Sequence, residues 1–207
     1  MISHVLVTRF NVRVPEWRKV DKSGQAVRAD NWMAHRFGLF DQYTVPSVLA
    51  QTCHEFLWVV LFDIRTKEKW VEKAESYGCF QAYYVDNWLA DLQQLLRLSP
   101  SEWLLTSRLD NDDAIAPKFI ATVQSAAQER KEFLNIPNGY VIRRNKRNKP
   151  AQHTANPFIS YVEPTKEAQS VYFTPHGRAM SKHAPIRQIT TQRLWYQIIH
   201  ERNYLNA

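Results

Sequence analysis

Phe56-Leu57-Trp58-Val59-Val60-Leu61-Phe62 is a run of seven apolar residues closed by Asp63. It is too short to span a membrane and rich in β-branched and aromatic side chains, so it predicts a strand buried on both faces, as in a parallel sheet covered by helices. Asp63 then lies at the carboxyl end of that strand. The sequence that follows keeps the rhythm of such a sheet. A helix is predicted from near Thr66 to Gly78, a strand over Phe80 to Val85, a helix from Asn87 to Leu98 halted by Ser99-Pro100, and a strand over Trp103 to Leu109. Strands alternating with helices of crossover length specify an α/β fold.

Working outward, His4 to Phe10 reads as a first strand, and Asn11 to Ala29 as an excursion carrying Pro15 and a Lys22-Ser23-Gly24 turn. From Asp30, a candidate N-cap, the spacing of Trp32, Arg36, Leu39, Phe40 and Tyr43 is helical. Pro46 marks a break or the start of a short helix through Gln51. Beyond the second acidic strand end, Ile115, Phe119, Val123, Ala126 and Ala127 mark one face of a helix extending to about Phe133. The texture then changes to shorter strands, Tyr140 to Arg144, Phe158 to Val162 and Val171 to Thr174, with a helix predicted from Thr190 to His200. The expectation is a single domain over residues 1–207, with a mixed central sheet flanked by helices.

The chain has 207 residues, 44% of them hydrophobic, enough to bury a full core. Neither an unbroken apolar leader in Met1 to Phe10 nor a run of roughly 18 apolar residues is seen, which predicts a soluble, cytoplasmic protein. Cys53 and Cys79 are expected to be free thiols, and no zinc spacing occurs. The net charge of +7 raises a nucleic-acid reading, but the basic residues are dispersed. The one dense run, Arg143 to Lys149, lies between two strands and reads as a solvated hairpin loop able to attract diphosphates, anionic acceptors or a membrane leaflet.

Asp110-Asn111-Asp112-Asp113 places three carboxylates within four positions at a strand terminus. Such a cluster is self-repelling unless a cation or a helix N-terminus offsets it. It reads as a helix cap with surplus surface acids, or as a site for magnesium or manganese whose shell is completed by water and phosphate. Arg108 beside the acids, and the binding of ligands at the carboxyl ends of strands in open α/β sheets, favour the second reading.

Thr106-Ser107-Arg108-Leu109-Asp110-Asn111-Asp112-Asp113-Ala114-Ile115 resembles the central motif of a bacterial family named for rhamnosyl transfer, itself similar to GT-A glycosyltransferases with their Asp-x-Asp element. In order, Val7 to Asn11, Pro46-Ser47-Val48 with Gln51-Thr52, Phe56 to Asp63, Asn156 to Ile159 with Glu163, and Trp195 through His200 to Asn203 resemble it too. The last motif departs from the pattern, with Glu201-Arg202 where a glycine-bearing sequence is expected.

The resemblance implies a GT-A-like domain with a nucleotide-sugar-binding half over residues 1–115 and an acceptor-side half over 116–207. It implies a metal-dependent transfer of a sugar, rhamnose by the family's name, from a nucleoside-diphosphate donor to a hydroxyl acceptor with inversion, as in polysaccharide biosynthesis. Asp110 and Asp112 form the Asp-x-Asp pair and are the expected metal ligands, with Asp113 a neighbouring carboxylate or helix cap. His200, ahead of His176, is the expected third ligand. Thr8, Arg9, Asp63, Arg108 and Asp110 are expected at the donor. Glu163, at the end of its strand, is the expected base, with Asp113 the second candidate catalytic carboxylate. Trp195 is the candidate sugar platform, whereas Trp58, Trp88 and Trp103 read as core. The expected partners are the donor and a glycan or lipid-linked acceptor at the inner face of the membrane. The chain's shortness implies an acceptor site completed by a partner or second subunit. The alternatives are a non-catalytic nucleotide-binding module, a nucleic-acid-binding protein, or a metal-dependent nuclease or phosphatase, for which further acids are too few.

Overall fold

The computed structural model describes residues 1–14, 20, 26–143 and 147–200. Pro15, the Lys22-Ser23-Gly24 turn, positions 144–146 of the basic run and Glu201 to Asn203 lie outside the described residues.

The first half winds as its hydrophobic pattern predicts. Strands β1 (Ile2–Arg9), β2 (Leu57–Asp63), β3 (Gln81–Val85) and β4 (Trp103–Arg108) pair in parallel in the order β3-β2-β1-β4. Helix α1 (Asp30–Leu39), a π-helical turn (Phe40–Thr44) and α2 (Val45–Leu49) separate β1 from β2. Helices α3 (Glu68–Glu75) and α4 (Trp88–Leu96) make the next two crossovers. Val59 to Phe62 are wholly buried because both faces of β2 are covered.

Period-two alternation divides the core. Leu6, Phe10, Val60 and Phe62 face Trp32, Met33 and Phe37 of α1. Val5, Val7, Val59 and Leu61 face Trp88, Leu92 and Leu96 of α4, with Tyr172 and Met180.

Past β4 the chain leaves the regular pattern. A short β5 (Ala114–Ile115) precedes α5 (Phe119–Ala126), and β6 (Glu132–Asn135) occupies the ground where the predicted helix was to continue. β7 (Asn138–Arg143) and β8 (Lys149–Gln152) form an antiparallel hairpin, with the described Arg147 and Lys149 exposed as expected of a solvated loop. β9 (Ser160–Pro164) inserts antiparallel between β4 and β6, and β10 (Ile186–Gln188) closes that edge. Val171 to Thr174, predicted as a strand, is a turn.

The predicted C-terminal helix is β11 (Trp195–Ile199), parallel to β7 and antiparallel to β5. Aromatic and β-branched residues packed on a neighbouring strand outweigh an apparent helical spacing. Among the described residues the result is a seven-stranded mixed sheet, β10-β6-β9-β4-β1-β2-β3, and a four-stranded sheet, β5-β11-β7-β8. The arrangement is α/β, with a mixed central sheet flanked by helices. Cys53 and Cys79 are free thiols. No helix among the described residues is long and apolar enough to cross a membrane.

Candidate active site

The parallel strands bring Arg9, Asp63 and Arg108 to one edge of the sheet, and the Asp110–Asp113 turn sits there because the backbone ties it down. Leu109 N–H donates to Val7 at 3.1 Å, Arg108 N–H to Ile159 at 3.3 Å, and the Asn111 side-chain amide to the Phe10 carbonyl at 2.9 Å.

Asp112 is the centre of one half of the site. Its Oδ2 accepts from Arg36 at 2.7 Å and lies 2.9 Å from His200 Nε2, with Arg36 only 16% and His200 7% exposed in their side chains. His35 backs the group, 3.4 Å from His200 Nδ1. Burial would raise the Asp112 carboxyl, but Arg36 and His200 outweigh it and hold it down to about 2. The 2.9 Å separation is that of a hydrogen bond, and the Arg36 guanidinium meets both partners, its Nη1 lying 3.5 Å from His200 Nε2 as well. Asp112 and His200 are the residues here whose atoms could hold a divalent ion, which would take the rest of its shell from water and phosphate. Asp110 does not join them. Its carboxylate turns to Arg108 at 3.6 Å, and no trio of His, Cys, Asp or Glu is gathered as a metal cage among the described residues.

Asp113 is not a helix cap. Its Oδ1 accepts the Ile198 N–H at 2.8 Å, and its carbonyl accepts from Thr44 Oγ1 at 2.9 Å, so it bridges the acidic turn to β11 and to the π-helical turn. Burial, with the Asp112 and Asp110 charges, pushes its carboxyl well above the ordinary range.

The other half of the site lies on the α4 side of the sheet edge. The Arg9 guanidinium is 4.3 Å from the Tyr172 ring centre and 5.2 Å from that of Trp88, and Arg108 is 4.8 Å from Tyr172. Tyr172 is fixed by its hydroxyl, which donates to the Val7 carbonyl at 3.1 Å. His176 lies within electrostatic reach of Arg9, Arg108 and Asp110 rather than beside Asp112.

Three sequence expectations are corrected. Glu163 pairs with Leu104 near the amino end of β4, because β9 runs antiparallel and carries it four residues, about 13 Å, away from Ile159 at the site edge. Both its carboxylate oxygens accept backbone N–H groups, of Gln169 and Ser170 at 2.8 Å, so it organises the turn before Tyr172 and reaches no acceptor. Thr8 is wholly buried and accepts from Trp58 Nε1 at 3.0 Å, pointing into the core instead of toward a nucleoside. Trp195 is also wholly buried, stacked on Phe158 at 5.1 Å with its Nε1 donating to Ile136, and offers no face to a sugar.

Asp63 stays at the rim, 3% exposed, where it accepts from Arg13 and from the backbone and side chain of Arg65. Burial opposes its ionisation, but these donors leave its carboxyl below the usual range. Arg36, His35 and Tyr172 were not singled out as site residues from the sequence. For Arg36 a signal existed, since a guanidinium on the apolar stripe of a helix needs a buried partner.

No curated protein matches the chain. Among solved structures, Staphylococcus aureus TarS 1-349 in complex with UDP aligns at 14% identity and a TM-score of 0.48, over 96% of this chain and 61% of that one. The bifunctional IspDF from Campylobacter jejuni aligns at 12% identity and a TM-score of 0.47, over 98% of this chain and 52% of that one. The chain thus spans less than two thirds of either. A family model matches residues 3–207, nearly everything described above, and the chain belongs to the glycosyltransferase family described as "Putative rhamnosyl transferase".

Proposed function

We propose that the protein transfers a sugar, rhamnose being the one its family name points to, from a nucleoside-diphosphate donor to a hydroxyl acceptor, with a divalent metal held by Asp112 and His200. The observation that carries this is the meeting of Asp112 and His200 at 2.9 Å in the acidic turn that follows the carboxyl end of β4. A metal bound there supplies charge stabilisation for the departing nucleoside diphosphate.

The chain's own residues do the rest. Arg36 and His35 fix His200 and Asp112 in place. Arg9, Arg108 and the arginines around Asp63 face the donor. Asp113 is the carboxylate assigned to take the acceptor's hydroxyl proton, because Glu163 stands at the far end of its strand and Asp113 has one oxygen fixed by Ile198. Inversion at the anomeric carbon follows from a single displacement with one base.

The test is calorimetric titration of nucleoside diphosphates and their sugars with manganese and then with excess chelator, coupled to an assay of nucleoside-diphosphate release. Metal-dependent binding with release in the presence of an acceptor supports the reading. Absence of binding to every nucleotide under both conditions would overturn it.

A further inference from the structure

The hairpin of β7 and β8 carries Arg143, Arg147 and Lys149, the last two exposed. Exposed cations elsewhere, such as Arg65, Lys67, Lys69, Lys73 and Lys131, each sit beside an Asp or Glu, whereas these meet no carboxylate among the described residues. The small sheet has none to give them, since β5, β7, β8 and β11 contain no acidic residue.

The cations share a face with aliphatic side chains. Lys149 lies opposite Val141 in the ladder, and Arg143 is two residues on, so all three are on one side of the hairpin. Ile199 of β11 pairs with Arg143 and joins the same side. Val141 and Ile199 are half-buried, and they pack against neither hydrophobic core. Trp195 roots this face by its stack on Phe158, and toward the strand ends the face emerges as aliphatics flanked by positive charge. Because β7 runs parallel to β11 and Arg143 is level with Ile199, the hairpin turns at the end of the sheet where His200 meets Asp112.

The kind of partner follows from this mixture. Single-stranded nucleic acid calls for aromatic rings on which bases stack, and the one aromatic of this face among the described residues, Trp195, is wholly buried. A soluble polyanion satisfies the cations and offers nothing to Val141 and Ile199. An anionic lipid leaflet offers both, headgroups for the charges and an apolar boundary beneath them.

We propose that the β7–β8 hairpin docks the protein on an anionic lipid surface, with Arg143, Arg147 and Lys149 at the headgroups and Val141 and Ile199 at the apolar boundary. The docking stands on the hairpin alone. Its use, to bring the end of β11 from which His200 reaches Asp112 to a leaflet that carries the acceptor, rests on the glycosyl-transfer reading.

The probe is vesicles of phosphatidylglycerol and phosphatidylcholine in equal parts, sedimented with the full chain and compared with phosphatidylcholine alone. The wild type binds the anionic vesicles, and binding falls as salt rises because the attraction is screened. Arg147→Gln and Lys149→Gln each weaken binding about fivefold, and together about twenty-five-fold, the effect expected for each cation lost at such a surface. Lys69→Gln, which removes an exposed cation of α3 paired with Asp30, binds as the wild type does. Thermal melting checks that the variants are folded; should the double variant not fold, the single substitutions decide. Equal binding to neutral and anionic vesicles, no binding to either, or undiminished binding by the folded double variant overturns the proposal. So does capture of polyuridylate or polygalacturonate without capture of vesicles.

Metal-dependent nucleotide binding is unchanged in the double variant, since neither residue belongs to the site. If the chain binds no nucleotide at all, vesicle binding persists, so failure of the catalytic reading and failure of the docking are seen separately.

Discussion

Asp112 Oδ2 stands 2.9 Å from His200 Nε2, joining the acidic turn after β4 to the residue that follows β11, 88 positions later. Asp112→Asn should therefore weaken manganese-dependent nucleotide binding about tenfold or more, about 1.4 kcal/mol, and His200→Ala should do the same. Calorimetry with and without chelator checks it, and equal affinities in wild type and variants would remove both residues from the metal site.

Asp113→Asn should lower kcat by about a hundredfold or more, the scale of a lost general base, while leaving donor affinity within about twofold. The amide can still present its oxygen to the Ile198 N–H, so the bridge to β11 survives. A pre-steady-state measurement of nucleotide release at saturating donor decides it; an unchanged rate would exclude Asp113 as the base.

Glu163 should govern stability and leave chemistry alone. Burial pushes its carboxyl up to about 7, against the two backbone N–H groups that favour the charged form. A carboxyl raised above its unfolded value near 4.5 favours the fold fully below that value, and the contribution is lost as pH rises through about 7. Between those limits the unfolding free energy should fall by on the order of 3 kcal/mol on this account. Glu163→Gln should flatten the slope in urea melts from pH 5 to 8 with kcat unaltered. A slope identical to the wild type would show that the group does not titrate there.

Thr8→Val should separate core from site. It removes the oxygen that accepts from Trp58 Nε1 in a wholly buried place and should cost about 1–3 kcal/mol in chemical denaturation. Donor affinity should hold; a large rise in donor Kd in the folded variant would return Thr8 to the nucleotide pocket.

Gly139→Ala tests the seating of β11. A Cβ at position 139 would fall 2.0 Å from Trp195 Cδ2, an impossible approach to a fully buried ring that is pinned by Phe158 and Ile136. The variant should lose about 1–3 kcal/mol or more and weaken metal-dependent binding together, since Trp195 opens the strand that His200 follows and seats it on β7. Full stability with unchanged binding would mean that β11 shifts freely.

The first half of the fold was legible because local pattern and tertiary demand coincide there. Phe56 to Phe62 needs cover on both faces, and the helices that supply it carry their own amphipathic spacing. The second half depended on pairings invisible locally. Nothing in Phe158 to Glu163 tells that its strand runs antiparallel, yet that direction alone moves Glu163 from the site edge to the opposite end. Trp195 to Ile199 has residues fit for strand or helix, and β7 decides between them. Asp112 and Arg108 could be singled out because charge clustered at a strand end needs a reason, whereas Tyr172 acts through a ring whose neighbours come from two distant strands.

The clasp of Asp113 on the Ile198 backbone has a consequence for how the molecule comes into being on the ribosome. Strands β1 to β4 can pair as soon as β4 has emerged, because every partner in that parallel set lies within the first 108 residues. Its acids remain without Ile198 and His200 until β11 is synthesised and slides between β5 and β7. A growing chain thus carries Asp112 and Asp113 early and meets Ile198 and His200, the partners that complete the proposed site, only when β11 pairs, so that a product shortened before Trp195 should be unable to assemble that site.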